Sequence, residues 1–144
     1  MIANAIYQRI LVPTDGSESA DRAVEHTLTL AEQYGATVHA LHVVDTSRYG
    51  EPALSSTEIV LHELEERGHD LLDEIAAKAD DRGLAVETKL PHGRPHREIT
   101  DYADEVETDL IVLGYQGQSH ELEGHIGSVR KSDGFSSQSE REAV

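Results

Sequence analysis

The sequence predicts an α/β domain, an open parallel sheet with helices on both faces. Three observations carry this reading. The short apolar runs Ile10-Leu11-Val12 and Leu110-Ile111-Val112-Leu113 have the length of buried parallel strands. Stretches of helical periodicity alternate with β-rich stretches, giving the order β-α-β-α-β-α-β. At 144 residues the chain is one domain, large enough for a real core.

Each element carries its own signals. The first strand, Ile10–Val12, is ended by Pro13, and Thr14-Asp15-Gly16-Ser17 forms the loop after it. Ser17 or Ser19 can cap the first helix. Its apolar or small stripe is Ala20, Ala23, Val24, Thr27, Leu28 and Ala31, and Gly35 is placed to end it. Ala36 to Val44 is rich in β-formers and reads as the second strand, followed by a polar loop from Asp45 to Ser55. Ser55 and Glu58 have the spacing of a capping box. The long second helix would turn Ile59, Leu64, Leu71, Leu72, Ile75 and Ala79 inward and end at Gly83. Leu84 to Leu90 alternates as a third strand. Pro95 suits the first turn of a third helix, with the stripe Ile99, Tyr102, Ala103 and Val106. Leu110–Leu113 is the fourth strand. In such a sheet, ligands bind beyond the carboxyl ends of the strands. Asp15, the segment His42–Asp45 and Gly114 all lie at such ends.

Composition narrows the function. There are 28 acidic residues against 12 Lys plus Arg, a formal net charge of −16. That balance argues against binding nucleic acid or an anionic membrane. Only Lys78, Lys89 and Lys131 are lysines, and no basic patch offsets the acid excess. This points to a salt-rich, halophilic cytosol, where self-repulsion is screened. The absence of cysteine excludes disulfides and thiolate metal sites. No apolar run has the length of a membrane span, and the first residues lack a signal-peptide layout, so a cytoplasmic location is expected.

After the fourth strand the chain reads Gly114, Gly117, Gly127 and Ser128, the pattern G-x2-G-x9-G-S. Glycines let backbone N–H groups approach a ligand closely. A Gly-Ser pair opening a helix would add free N–H groups, a hydroxyl and the positive end of the helix dipole. Such clusters can hold a chain of phosphates. This stretch resembles the nucleotide-binding signature of the universal stress proteins, in the branch that binds ATP. The resemblance covers roughly residues 8–129. Its other marks are Ile10-Leu-Val-Pro-Thr-Asp-Gly-Ser17, Leu41-His-Val-Val-Asp45, Gly93-Arg-Pro95 and Asp109-Leu-Ile-Val-Leu-Gly114.

The resemblance implies a Rossmann-like fold of the adenine nucleotide alpha hydrolase type, with strand order 3-2-1-4. It implies ATP as ligand, with magnesium or manganese accompanying the nucleotide, and a homodimer. Pro13, Thr14 and Asp15 would belong to the site, with Asp15 at the base-and-ribose end. The backbone of Val43 would read the adenine, and Gly114 would lie near the ribose. Gly117, Gly127 and Ser128, with Val129 beside them, would hold phosphates.

The C-terminus departs from the family pattern. Members continue a helix after the Gly-Ser pair and then add a fifth, valine-rich strand. Here the chain reads RKSDGFSSQSEREAV after Val129. Residues 131–144 read as a disordered tail following a nucleotide-binding domain over 1–130. The family's fifth strand is expected to be missing, which would leave the fourth strand as a bare edge and the helix behind Gly127 short.

Other chemistry finds little support. His92 and His96 are four apart, but Gly93 and Pro95 oppose a helix across them. His62 and His69 share a helix, and all four read as solvated or edge residues rather than a metal site. There is no G-x4-G-K-[ST] loop, no ATP-pyrophosphatase serine-glycine loop and no acid pair of a phosphoacceptor receiver. No nucleophile–base pair is visible, so any ATP hydrolysis would be slow. The expected function is an ATP-binding, nucleotide-dependent switch of stress response. The alternative is a non-nucleotide interaction module associating through its open sheet edge.

Overall fold

β1 (Arg9–Pro13) sits at the centre of the architecture because Ile10, Leu11 and Val12 are all fully buried. Successive strand residues point to opposite faces. Ile10 and Val12 therefore enter one core and Leu11 the other. The computed structural model describes residues 7–46, 55–115 and 125–130. β1 lies between β2 (Thr37–Leu41) and β6 (Leu110–Tyr115), and β2 pairs with β4 (Val86–Lys89), all in parallel. These four strands stand in the expected spatial order of third, second, first, fourth.

Helices cover both faces, as their stripes dictate. α1 (Glu18–Tyr34) starts at Ser17, whose hydroxyl accepts a hydrogen bond from the Ala20 amide at 3.2 Å. Glu18 and Asp21 in its first turn complement the helix dipole. Gly35 ends it in the left-handed conformation, φ 69°, which a glycine adopts without strain. Ala23, Val24, Leu28 and Ala31 join Ile10, Val12, Leu110 and Val112 in the larger core. α2 (Ser55–Asp81) adds Leu72, Ile75 and Ala79 to it. α3 (Pro95–Val106) lies on the opposite face, where Tyr102 and Ala103 pack with Leu11, Leu41 and Ile111. None of the helices is long and apolar enough to cross a membrane, among the described residues.

Four expectations are corrected. Ile59 was expected to face inward and is 60% exposed. α2 has 27 residues, about 40 Å of helix, while the strands beneath it span roughly 17 Å, so its first turns overhang the sheet. The second strand does not run unbroken to Val44. It ends at Leu41, and β3 (Val44–Asp45) pairs separately with β5 (His92–Gly93). Bonds from the His42 amide to the Lys89 carbonyl and from the Val44 amide to the Pro91 carbonyl continue the ladder between them.

The third and fourth corrections concern the C-terminal end. A helix was expected to open at Gly127 and Ser128, and β6 was expected to be a bare edge. Instead β7 (His125–Arg130) pairs antiparallel with β6, setting Gly127 opposite Leu113 and Ser128 opposite Val112. No parallel fifth strand is present among the described residues. The reason is chain length and edge chemistry. Only residues 116–124 separate β6 from β7, and a parallel return needs about a dozen residues or more. The open backbone groups of β6 are then met by the nearest β-forming stretch, which contains Ile126 and Val129. The expected tail, 131–144, lies outside the described residues.

Candidate functional site

The loop after β1 is built by its own short side chains. Gly16 adopts φ 83°, where a Cβ would be strained. Its amide donates to the Thr14 hydroxyl at 3.1 Å, and the Ser17 amide donates to an Asp15 carboxylate oxygen at 2.9 Å. The Thr14 amide donates to the Leu41 carbonyl at 2.8 Å, which fastens the loop to the end of β2. Asp15 is thereby presented at the carboxyl edge of the sheet.

A cleft of about 480 Å³ opens at this edge. Pro13, Thr14, Asp15, Val43 and Gly114, five of the residues expected from sequence, line it together. Leu64 of α2, Pro95 and Ile99 of α3, and Leu113 of β6 supply apolar walls. His42 and Asp45 add polar groups. The arrangement suits a ligand with a flat apolar part and a polar rim.

Backbone direction distinguishes Val43 from its neighbours. The His42 and Val44 amides both point toward the β4–β5 side, where they bond Lys89 and Pro91. Peptide groups alternate in direction along an extended chain, so those of Val43 face the other way. On that side β1 has already ended at Pro13. This alternation directs the N–H and C=O of Val43, itself a lining residue of the cleft, away from β4 and β5.

The carboxyl of Asp15 is tuned by its surroundings. Partial burial pushes its carboxyl up, and the hydrogen bonds from Ser17, with smaller help from its own amide and from His42, push it down. The net result lies below the ordinary 3.8, so the group is a carboxylate at neutral pH. A carboxylate there accepts hydrogen bonds from hydroxyl groups.

Gly114 has a packing duty as well. A Cβ on it would lie 2.5 Å from the Ser19 carbonyl oxygen and 2.7 Å from the Ala20 amide nitrogen. Its lack of a side chain lets the first turn of α1 rest on the end of β6. Gly117 lies outside the described residues. Gly127, Ser128 and Val129 stand in β7, opposite Leu113, Val112 and Ile111, rather than at a helix start.

Two of the histidines singled out in the sequence lie beside carboxylates. His92 Nε2 lies 2.6 Å from Glu65, and His62 Nε2 lies 3.3 Å from Glu66. Among the described residues no group of three or more His, Asp or Glu could hold a metal ion. Sequence reasoning missed His42 as an individual residue and missed the wall formed by Leu64 and Ile99. One signal was available: Gly68 stands within α2, where glycine costs about 1 kcal/mol relative to alanine and so marks a close approach.

Comparison with known proteins identifies the family. The profile of the Universal stress protein family matches residues 6–132. The chain is 34% identical over 125 residues to Universal stress protein MJ0531 of Methanocaldococcus jannaschii, covering 86% of this chain and 74% of that protein. Universal stress protein UspA from Lactobacillus plantarum superposes with a TM-score of 0.73 at 34% identity, covering 81% of this chain and 82% of the other. A universal stress protein family member from Burkholderia pseudomallei superposes with a TM-score of 0.69 at 29% identity, over 77% of this chain and 83% of its own. The glycine-marked strand ends, the parallel order and these likenesses converge, and the chain belongs to the universal stress protein family.

Proposed function

We propose that the cleft binds an adenine nucleotide, with ATP the first choice, and that the protein acts as a nucleotide-dependent switch in stress response. The observation that carries this is that Val43 and Asp15 line one largely apolar slot, with alternation directing the Val43 backbone groups away from β4 and β5. A donor and an acceptor side by side match the edge of adenine. Asp15 suits ribose hydroxyls, and Pro13, Thr14 and Gly114 complete that end. Gly117, Gly127, Ser128 and Val129 would hold the phosphates, on the resemblance to the family. Magnesium or manganese would arrive on those phosphates, since the described side chains form no metal site of their own. The reading includes a cytoplasmic, salt-rich setting and a homodimer. The alternative, association through a bare β6 edge without nucleotide, loses its motive because β7 occupies that edge.

Calorimetric titration of Mg-ATP and Mg-GTP into the protein in molar KCl tests this. Saturable heat with ATP, weaker with GTP and lost in Asp15→Ala, is the expected result. No heat and no thermal shift at millimolar Mg-ATP would overturn it.

A further inference from the structure

The imidazole of His42 links three elements that meet at the cleft. Its Nδ1 lies 2.8 Å from the Thr14 carbonyl oxygen. A carbonyl only accepts, so Nδ1 carries the proton and donates. The Thr14 amide is bonded to the Leu41 carbonyl at 2.8 Å, so residues 41 and 42 grip both sides of Thr14. Thr14 is itself 7% exposed. The next residue is Asp15, and the Gly16 and Ser17 amides close the loop onto Thr14 and Asp15.

The ring is also backed from behind. A Cβ on Gly68 of α2 would stand 2.6 Å from His42 Cδ2 and 2.6 Å from Leu90 Cδ1. Any side chain at position 68 would therefore push on the ring. This explains a glycine in the middle of a 27-residue helix, where it is otherwise unfavourable.

We propose that His42 is a positioning residue for the cleft, one whose Nδ1–H, wedged by Gly68 and donated to Thr14, sets the orientation of the loop that presents Asp15. It rests on the reading of the cleft as a nucleotide site. Unlike Asp15 and Val43, His42 acts through Thr14 and not by touching the ribose or the base. A neighbouring leucine or glutamine at this position would fill similar space without a donor at Nδ1. Asparagine places its amide nitrogen close to where Nδ1 stands.

The test compares His42→Leu, His42→Gln and His42→Asn with wild type by Mg-ATP titration and by hydrogen exchange without ligand. Losing one oriented hydrogen bond should weaken ATP about tenfold in His42→Leu and His42→Gln. His42→Asn should recover most of the affinity. Without nucleotide, the Gly16 and Ser17 amides should exchange severalfold faster in the Leu and Gln variants than in the Asn variant, while Ile10–Val12 stays protected. If His42→Leu does not fold, His42→Gln carries the comparison. Equal affinity in all variants overturns the proposal, as does a His42→Asn as weak as His42→Leu. If wild type fails to bind ATP, the nucleotide reading falls alone, and the exchange rates still decide whether His42 orients the loop. Equal exchange across the variants then overturns it.

Discussion

Gly114→Ala tests the packing account of the late glycine. The new Cβ would lie 2.5 Å from the Ser19 oxygen, 2.6 Å from the Ser19 carbonyl carbon and 2.7 Å from the Ala20 nitrogen, against ordinary contact from 3.4 Å. All three neighbours are backbone, so no rotamer change relieves the overlap. The first turn of α1 or the end of β6 must move by most of an ångström. Overpacking of this kind costs about 1–3 kcal/mol. The movement also pulls the Ala20 amide from the Ser17 hydroxyl, already at 3.2 Å, and a lost cap costs about 1 kcal/mol. Replacing glycine returns about 0.5–1 kcal/mol through the unfolded chain. The net expectation is a loss of about 1–3.5 kcal/mol, or roughly 3–12 °C in melting temperature. Urea unfolding with an unchanged m-value measures it. Gly35→Ala is the control: its φ is 69° but nothing among the described residues lies within 4 Å, so it should lose only about 1 kcal/mol, from backbone strain. A Gly114→Ala protein within about 0.5 kcal/mol of wild type would refute the packing argument.

Three further outcomes are expected. His39 is 4% exposed, with Nδ1 3.2 Å from the Tyr102 hydroxyl, and burial, opposed by Glu87 and aided by Arg9, pushes its pKa below 6.5. The unfolded chain therefore takes up the proton first as pH falls, so stability is intact above pH 6.5 and declines below it, until the folded value is passed. The decline, at most about 1.4 kcal/mol per pH unit for one proton, should shrink in His39→Gln, and an unchanged slope in urea melts across pH 7 to 5 counts against it. Thr27→Val should be neutral or stabilise by up to about 1 kcal/mol, because the Thr27 hydroxyl is buried and has no hydrogen-bond partner among the described residues; a clear loss of stability would mean that the hydroxyl is satisfied in solution. With a net charge of −16, melting temperature should fall as salt drops from about 1 M to about 0.1 M and the Debye length grows from about 3 to about 10 Å. A flat melting temperature would make the acidity incidental.

The features legible in the sequence were those set by local rules. The period of two in Ile10–Val12 and Leu110–Val112 sorted side chains between the two cores, and the 3.6-residue stripe of α1 was buried as read. Ser17, Gly35 and Pro95 mark helix ends because capping chemistry involves only residues within a turn of each other. Those local rules also placed Asp15, Val43 and Gly114 at strand ends, and a parallel sheet gathers such ends on one edge. The remaining features depend on distances between residues far apart in sequence. Ile59 is exposed because α2 outruns the sheet, and Gly114 is bare because α1 rests on it. His42 meets Thr14 and Gly68 only once β1, β2 and α2 are packed. The direction of residues 125–130 was likewise a tertiary decision. Glycine, serine and valine there fit either a helix start or a strand, and the open backbone groups of β6, reachable over a short connection, selected the strand.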